Sequence, residues 1–196
     1  MSTPAKINFK IYQGSTFNEV LRWESSVKTY APITAITKSA PVVITAPDHG
    51  VPLEWRVKFT NISGMTDLNS SDTYYQVTSK TTNTITINSI NSLGFKEYTS
   101  GGVVEYNTPV DLTGFTARMQ LRANINDDTV IEELTSENGK INISNVNKTI
   151  TLTIPASTTA GYTFSTAVYS LEMISSGGQV TPFCSGSFTL VKEVTR

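Results

Sequence analysis

Residues 54–60, EWRVKFT, set Trp55, Val57 and Phe59 against Glu54, Arg56, Lys58 and Thr60. Apolar side chains at every second position share one face only on an extended backbone, because a helix would scatter them around its circumference. The segment therefore reads as a strand with one face buried and the other wet. The same period of two recurs along the chain. It places Ile7, Phe9 and Ile11 together in KINFKIYQG (6–14), and Ile85 with Ile87 in TITIN (84–88). It also groups Ala117, Met119 and Leu121 in TARMQLR (116–122), and Ile150, Leu152 and Ile154 in TITLTI (149–154).

Between these runs stand turn-forming residues: Asp48-His49-Gly50, Ser63-Gly64, Gly101-Gly102, Asn138-Gly139 and Gly177-Gly178. A turn signal every 8–12 residues or so is the mark of all-β sandwiches and small barrels. One helical turn is expected in PASTTAGY (155–162), opened by Pro155 and closed by Gly161. No window carries an amphipathic helix.

Composition narrows the function. Acidic and basic residues nearly cancel to a formal charge of -1, and serine plus threonine make up about a quarter of the chain. A neutral, hydroxyl-rich surface without a basic run has little to hold phosphates, so no nucleic-acid partner is expected. Cys184 is the single cysteine, which excludes an intrachain disulfide and a cysteine zinc cluster; it reads as a small apolar filler. MSTPAKINFK has no signal-peptide core and no stretch reaches the length of a membrane span, so a soluble, cytosolic chain is expected.

The order of the segments suggests an insertion. Pro32 and Pro109 each sit at the edge of an apolar segment, and residues 33–107 between them have their own turns. The expected organisation is a discontinuous domain, 1–32 with 108–196, carrying an inserted module, 33–107. A compact insert at a loop tip is tolerated because loop-closure entropy grows slowly with length.

Five motifs of the host segments, in order, are IYQGSTFNEVLRW, DLTGFTARMQLR, IEELTSENGKI, TITLTIPASTTAGY and VYSLEMISSGGQVTPFCSGSFTLVKEVTR. Together they resemble a family of bacteriophage tail and baseplate proteins, over nearly all of residues 5–30 and 110–196. The resemblance implies an immunoglobulin-like β-sandwich and a place in the virion, assembled in the host cytoplasm. Its partners would be other tail or neck proteins, in a homo-oligomeric ring. The insert is similar to a small β-barrel module that recurs in phage structural proteins and to the first catalytic-cysteine half-domain of ubiquitin-activating enzymes. His49-Gly50, SGMTDLN (63–69), YYQV (74–77) and YTSGG (98–102) carry that likeness. The usual glycine soon after the His-Gly pair is missing, since Val51-Pro52-Leu53-Glu54 stands there. The insert holds no cysteine, and the enzyme name implies no activity here.

An Asp48-His49 pair could begin a hydrolytic site, but no serine or cysteine is specifically placed against it. His49 with Gly50 is expected to form a turn between two strands, and His49→Asn to cost less than about 1 kcal/mol. Gly64, Asp111 and Gly114 are further turn positions, the last two in a strand-opening DLTG turn. DLNSSD (Asp67, Asn69, Asp72) and NINDD (Asn124, Asn126, Asp127, Asp128) offer oxygens for Ca²⁺ but lack the glycine and distal glutamate of an EF-hand, so Asx turns are expected. Glu132 and Glu133, adjacent on a strand, should point to opposite faces and not act as a pair.

No enzyme, cofactor or metal is expected. The surfaces are then what remains to act. Glu193, Val194, Thr195 and Arg196 form a candidate assembly interface. Tyr74, Tyr75 and Tyr98 are candidate glycan or protein contacts, with Tyr74 and Tyr75 on opposite faces. The favoured function is a non-enzymatic virion component of the tail, baseplate, collar or neck. The alternative is a displayed receptor- or glycan-binding module, or a head decoration protein.

Overall fold

A computed structural model describes residues 3–70 and 72–194. The chain divides into two compact units: Met1–Trp23 with Asp111–Arg196, and Glu24–Val110. In the first unit the chain begins with β1 (Ala5–Lys6), β2 (Phe9–Tyr12) and β3 (Phe17–Leu21). The second contains β4 (Glu24–Pro32), β5 (Ala35–Ile36), β6 (Val42–Thr45), β7 (Arg56–Ser63), β8 (Tyr75–Gln76), β9 (Ser79–Lys80), β10 (Thr84–Ile87) and β11 (Ser100–Pro109). The first unit is completed by β12 (Thr116–Arg122), β13 (Glu132–Thr135), β14 (Ile141–Ser144), β15 (Thr149–Ile154), β16 (Thr166–Ile174) and β17 (Val180–Val191). One helical turn, α1 (Ala156–Thr159), falls in the PASTTAGY segment behind Pro155. The protein is all-β, as the alternation requires.

The host unit has two sheets. One runs β1-β17-β16-β12-β13, with β2 also paired to β17; the other runs β14-β15-β3. β1 and β2 both lie parallel to β17, with Ala5 opposite Cys184 and Phe9 opposite Phe188. Side chains of the two sheets interdigitate: Phe17 of β3 meets Phe9 and Phe188 at ring-centre distances of 5.6 and 5.2 Å. Tyr169 joins them at 5.4 Å from Phe9. Each such pair contributes about 0.5–1.5 kcal/mol beyond the area it buries. β15 shows the period of two without a break, with Ile150, Leu152 and Ile154 fully buried. Between β1 and β2 the chain bends so closely past β17 that a Cβ on Gly186 would lie 1.9 Å from the carbonyl oxygen of Ile7. Only glycine admits that approach.

The inserted unit consists of two four-stranded sheets, β5-β6-β10-β9 and β4-β11-β7-β8. Its core includes Trp55, Val57, Phe59, Ile44, Ile85 and Ile87, none of them exposed. Trp55 meets its polar requirement by donating Nε1–H to Asn107 O at 2.9 Å. The sheets remain open and do not close into the barrel expected from the sequence. Two chain runs, 24–36 and 75–80, each lend a strand to both sheets, so the ladder is interrupted where the chain bends from one to the other.

The unit also begins earlier than the expected residue 33. β4 pairs antiparallel with β11 from Pro32↔Val103 to Lys28↔Asn107 and, after a register shift, at Glu24↔Pro109, which ties both ends of β4 to the insert by a backbone ladder. Pro32, read in the sequence as a boundary, is the last residue of a strand at a sheet edge, where a missing N–H costs no ladder bond.

Candidate functional site

The histidine corner lies in the loop between β6 and β7. Asp48 and Gly50 adopt positive φ values of 50° and 65°, so the backbone turns sharply on either side of His49. The turn does not leave the imidazole in solvent, for His49 is only 3% exposed. Val51 N–H donates to its Nδ1 at 3.0 Å, which fixes that nitrogen as unprotonated. Nε2 therefore carries the hydrogen and donates to Thr81 O at 3.0 Å and Thr84 O at 3.3 Å. Burial pushes the pKa of the ring down, against the pull of the Thr84 and Thr81 carbonyls, and nearby Lys80 adds to the lowering. Both nitrogens are committed to backbone groups, so neither serves to activate a nucleophile in this arrangement. The corner is a buried clamp that pins loop 46–55 to the 81–84 turn. The small cost expected for His49→Asn is revised upward accordingly.

The three tyrosines separate. Tyr75 points inward and stacks on Phe59, with ring centres 5.8 Å apart. Tyr98 Oη shares its hydrogen between Ile33 O at 3.1 Å and Gly101 O at 3.0 Å, which makes it a brace for the chain leaving β4. Tyr74 is on the opposite face from Tyr75 and is 38% exposed.

Around Tyr74 gather charged groups from three strands. Lys28 Nζ of β4 donates to Tyr74 Oη at 2.9 Å and lies 5.4 Å from the ring centre. The guanidinium of Arg56 and the ammonium of Lys58, both on β7, lie at 5.3 and 5.8 Å. Beneath them Glu105 of β11 faces Lys28 at 3.3 Å and Lys58 at 3.4 Å. Glu24 holds Arg56 through two nitrogens, with a shortest contact of 2.6 Å, and accepts from Asn107 Nδ2 at 2.7 Å. The Tyr74 hydrogen bond raises the pKa of Lys28, and Glu24 raises that of Arg56, so both stay cationic. The result is an aromatic ring held in a fixed frame of charges on the wet face of a sheet. Sequence reasoning missed Lys28, Arg56 and Lys58 as neighbours of Tyr74. The alternation in EWRVKFT already placed Arg56 and Lys58 on one face, but their meeting with Tyr74 depends on the β7–β8 register.

Gly64, Asp111 and Gly114 lie outside the strands. Gly64 (φ 83°) ends β7, and a Cβ there would meet Glu97 O at 2.1 Å. Asp111 Oδ1 accepts from Thr113 N–H at 3.2 Å and from its hydroxyl at 2.8 Å, which lowers the carboxyl pKa, and Gly114 follows at φ 70°. Asn145 reinforces this turn by accepting from Leu112 N–H at 2.8 Å. At the C-terminal end, Glu193 N–H donates to Gln13 Oε1 at 3.4 Å and Val194 is 95% exposed. Thr195 and Arg196 lie outside the described residues.

In the acidic loops, Asn69 spends its amide on both backbone groups of Ile62, and Asp127 accepts from Asn124. No group of three or more His, Cys, Asp or Glu among the described residues is arranged to hold a metal. Glu132 turns toward Tyr162 Oη and Lys140, while Glu133 accepts from Gln120 on the other face. Cys184 is 1% exposed and burial raises its thiol pKa. No helix among the described residues is long and apolar enough to cross a membrane.

Residues 39–107 match the family model of the ubiquitin-activating enzyme E1 FCCH domain. The match lies within the inserted unit, covers about a third of the chain, and omits β4 and β5. No curated protein matches the chain.

Proposed function

We propose that this chain is a non-enzymatic structural component of a bacteriophage virion, in the tail, baseplate, collar or neck, and that it works by joining copies of itself and its neighbours into a symmetric ring. The ordered likeness of its host segments to tail and baseplate proteins supports the reading. The observation that carries it is the edge of the inserted unit. β4 is nine residues long, ends its sheet, and exposes Val27 (64%) and Tyr30 (59%). An extended, partly apolar edge is a template for a strand from another chain. Heterologous contacts of this kind close into rings under rotational symmetry.

A second reading, a displayed receptor- or glycan-binding module, draws support from Tyr74 and its three cations. Particle reconstitution separates the two. Full-length protein, a chain lacking 193–196 and a chain lacking the inserted unit are each offered to particles that lack the protein. Assembly through the β4 edge requires that loss of the inserted unit weaken incorporation more than loss of 193–196. Normal incorporation of the insert-deleted chain, with none of the chain lacking 193–196, would move the assembly surface to the terminus of the host unit. Normal incorporation of both with loss of host attachment would favour the receptor reading.

A further inference from the structure

The host unit carries a polar depression on the outer face of its larger sheet. Alternation along the strands points Ala117, Met119 and Leu121 of β12 and Ala167, Tyr169 and Leu171 of β16 inward, where all are buried. The intervening residues face out. Register then aligns Glu133, Gln120, Ser170 and Ser185 in a single row across β13, β12, β16 and β17. The two serines stand side by side on β16 and β17, so the row is low over that half. The rows on either side hold longer side chains: Arg118 bridges to Glu172 at 2.8 Å on one side, and Arg122 stands beside Val168 on the other. Long walls around a short floor leave two adjoining hollows of about 340 and 320 Å³, which share Gln120 and Ser170. Rows two residues apart are separated by about 7 Å along a strand.

The lining is held in place before any ligand arrives. Arg122 Nη2 donates to Gln120 Oε1 at 2.8 Å, and Gln120 Nε2 donates to Glu133 Oε1 at 2.8 Å. A side-chain amide fixed at both ends loses little freedom on binding. The two hollows are lined by two arginines and two glutamates, which balance in charge, and Lys6 of β1 stands beside Ser185 where the row continues past them. Donors and acceptors alternate along it, and an apolar ligand would strip them of water without replacing the bonds. Ile125, 84% exposed, supplies an apolar rim over the second hollow.

We propose that this depression binds a neutral saccharide of at least two units, one in each hollow. Hydroxyls would replace water on Gln120, Ser170, Ser185 and the outer carboxylate and guanidinium groups, and a C–H face of the second unit would rest against Ile125 and Val168. This site is on the host unit and is distinct from Tyr74, Tyr75 and Tyr98, which belong to the inserted unit. It also does not depend on the structural role proposed above, because it is read on the purified protein without a particle.

The test is calorimetry and saturation-transfer NMR on the full chain with maltotetraose, cellotetraose, chitotetraose and mannotetraose. Tetragalacturonate serves as the charged comparison, and a Ser/Asn-rich octapeptide as a polar chain without sugar rings. At least one neutral tetrasaccharide should bind. Ser170→Trp, which fills the shared floor from an exposed position, should weaken it about tenfold or more. Gln120→Ala should weaken it by a similar factor, and provides the reading if the tryptophan variant fails to fold. Leu93→Ser, an exposed change in the inserted unit, should leave affinity within about twofold. The proposal is overturned if no neutral member binds, if binding survives both host-unit variants, or if the charged sugar or the peptide binds more tightly than every neutral sugar.

Discussion

The hydroxyl of Tyr106 donates to the backbone carbonyl of His49 across 2.6 Å, joining β11 to the loop whose histidine ring is itself bound to the 81–84 turn. Three segments distant in sequence are thus fastened at one corner by a side chain that uses both ring nitrogens and by the backbone beside it. Tyr106 is only 4% exposed, and burial raises the pKa of its phenol.

Removing either member should register in stability. Tyr106→Phe leaves the His49 carbonyl without its hydroxyl partner and should cost about 1–2 kcal/mol. His49→Asn, which cannot span from Val51 to Thr81 and Thr84 together, should cost about 2 kcal/mol or more. Urea unfolding at neutral pH measures both. A change under about 0.5 kcal/mol for His49→Asn would return the residue to the role of an ordinary turn.

The same ring gives an acid dependence of known sign. Its folded pKa lies below the ordinary imidazole value of about 6.5, so the unfolded chain binds the proton first as pH falls. The stability owed to neutral His49 is full above about pH 6.5 and declines below it, through the depressed folded pKa. Unfolding free energies between about pH 7.5 and 5 should fall in the native chain and fall less in His49→Gln. Parallel curves for the two proteins would contradict the assignment.

Gly186→Ala should detach the first strands from β17. The added methyl group would collide with Ile7 O, which also accepts from Tyr169 Oη at 2.8 Å, while Ile7 N–H donates to Ser185 O at 3.0 Å. Overpacking of this kind costs about 1–3 kcal/mol. Amide exchange should show residues 5–8 losing protection before the rest of the unit. Unchanged protection there would mean the bend can shift without loss.

Excision tests the division of the chain. Joining Trp23 directly to Asp111 through a two- or three-residue turn should leave a host unit that unfolds cooperatively on heating. Trp23 belongs on the retained side because its ring packs 5.7 Å from Phe115 and 5.5 Å from Phe183. A join at Pro32 instead keeps β4 without its partner β11 and should yield the less stable or more aggregated product. The reverse ranking would restore the boundary suggested by the prolines.

What could be read in advance follows from how local each signal is. Trp55, Val57 and Phe59, or Ile150, Leu152 and Ile154, announce their strands within six or seven residues, and all six side chains are fully buried. ESSVKTYAP carries no such alternation, since only Ala31 of β4 is buried, and its partner strand begins at Ser100. That is why the module boundary was misplaced. His49 reads as a turn because Asp-His-Gly is turn chemistry. Its burial is set by Thr81 and Thr84, more than thirty residues on. The Tyr74 frame and the row from Glu133 to Ser185 are likewise products of register between strands, which no single window contains.

Glu24 and Pro109, the first and last residues of the β4–β11 pair, stand opposite one another in the ladder. The chain therefore leaves for the inserted unit and returns from it at the spacing of two neighbouring strands, about 5 Å. That is the gap bridged by any hairpin turn. A module with such a doorway is portable: it can replace a tight turn in another β protein without prising the flanking strands apart, and its donor can close the wound with two or three residues.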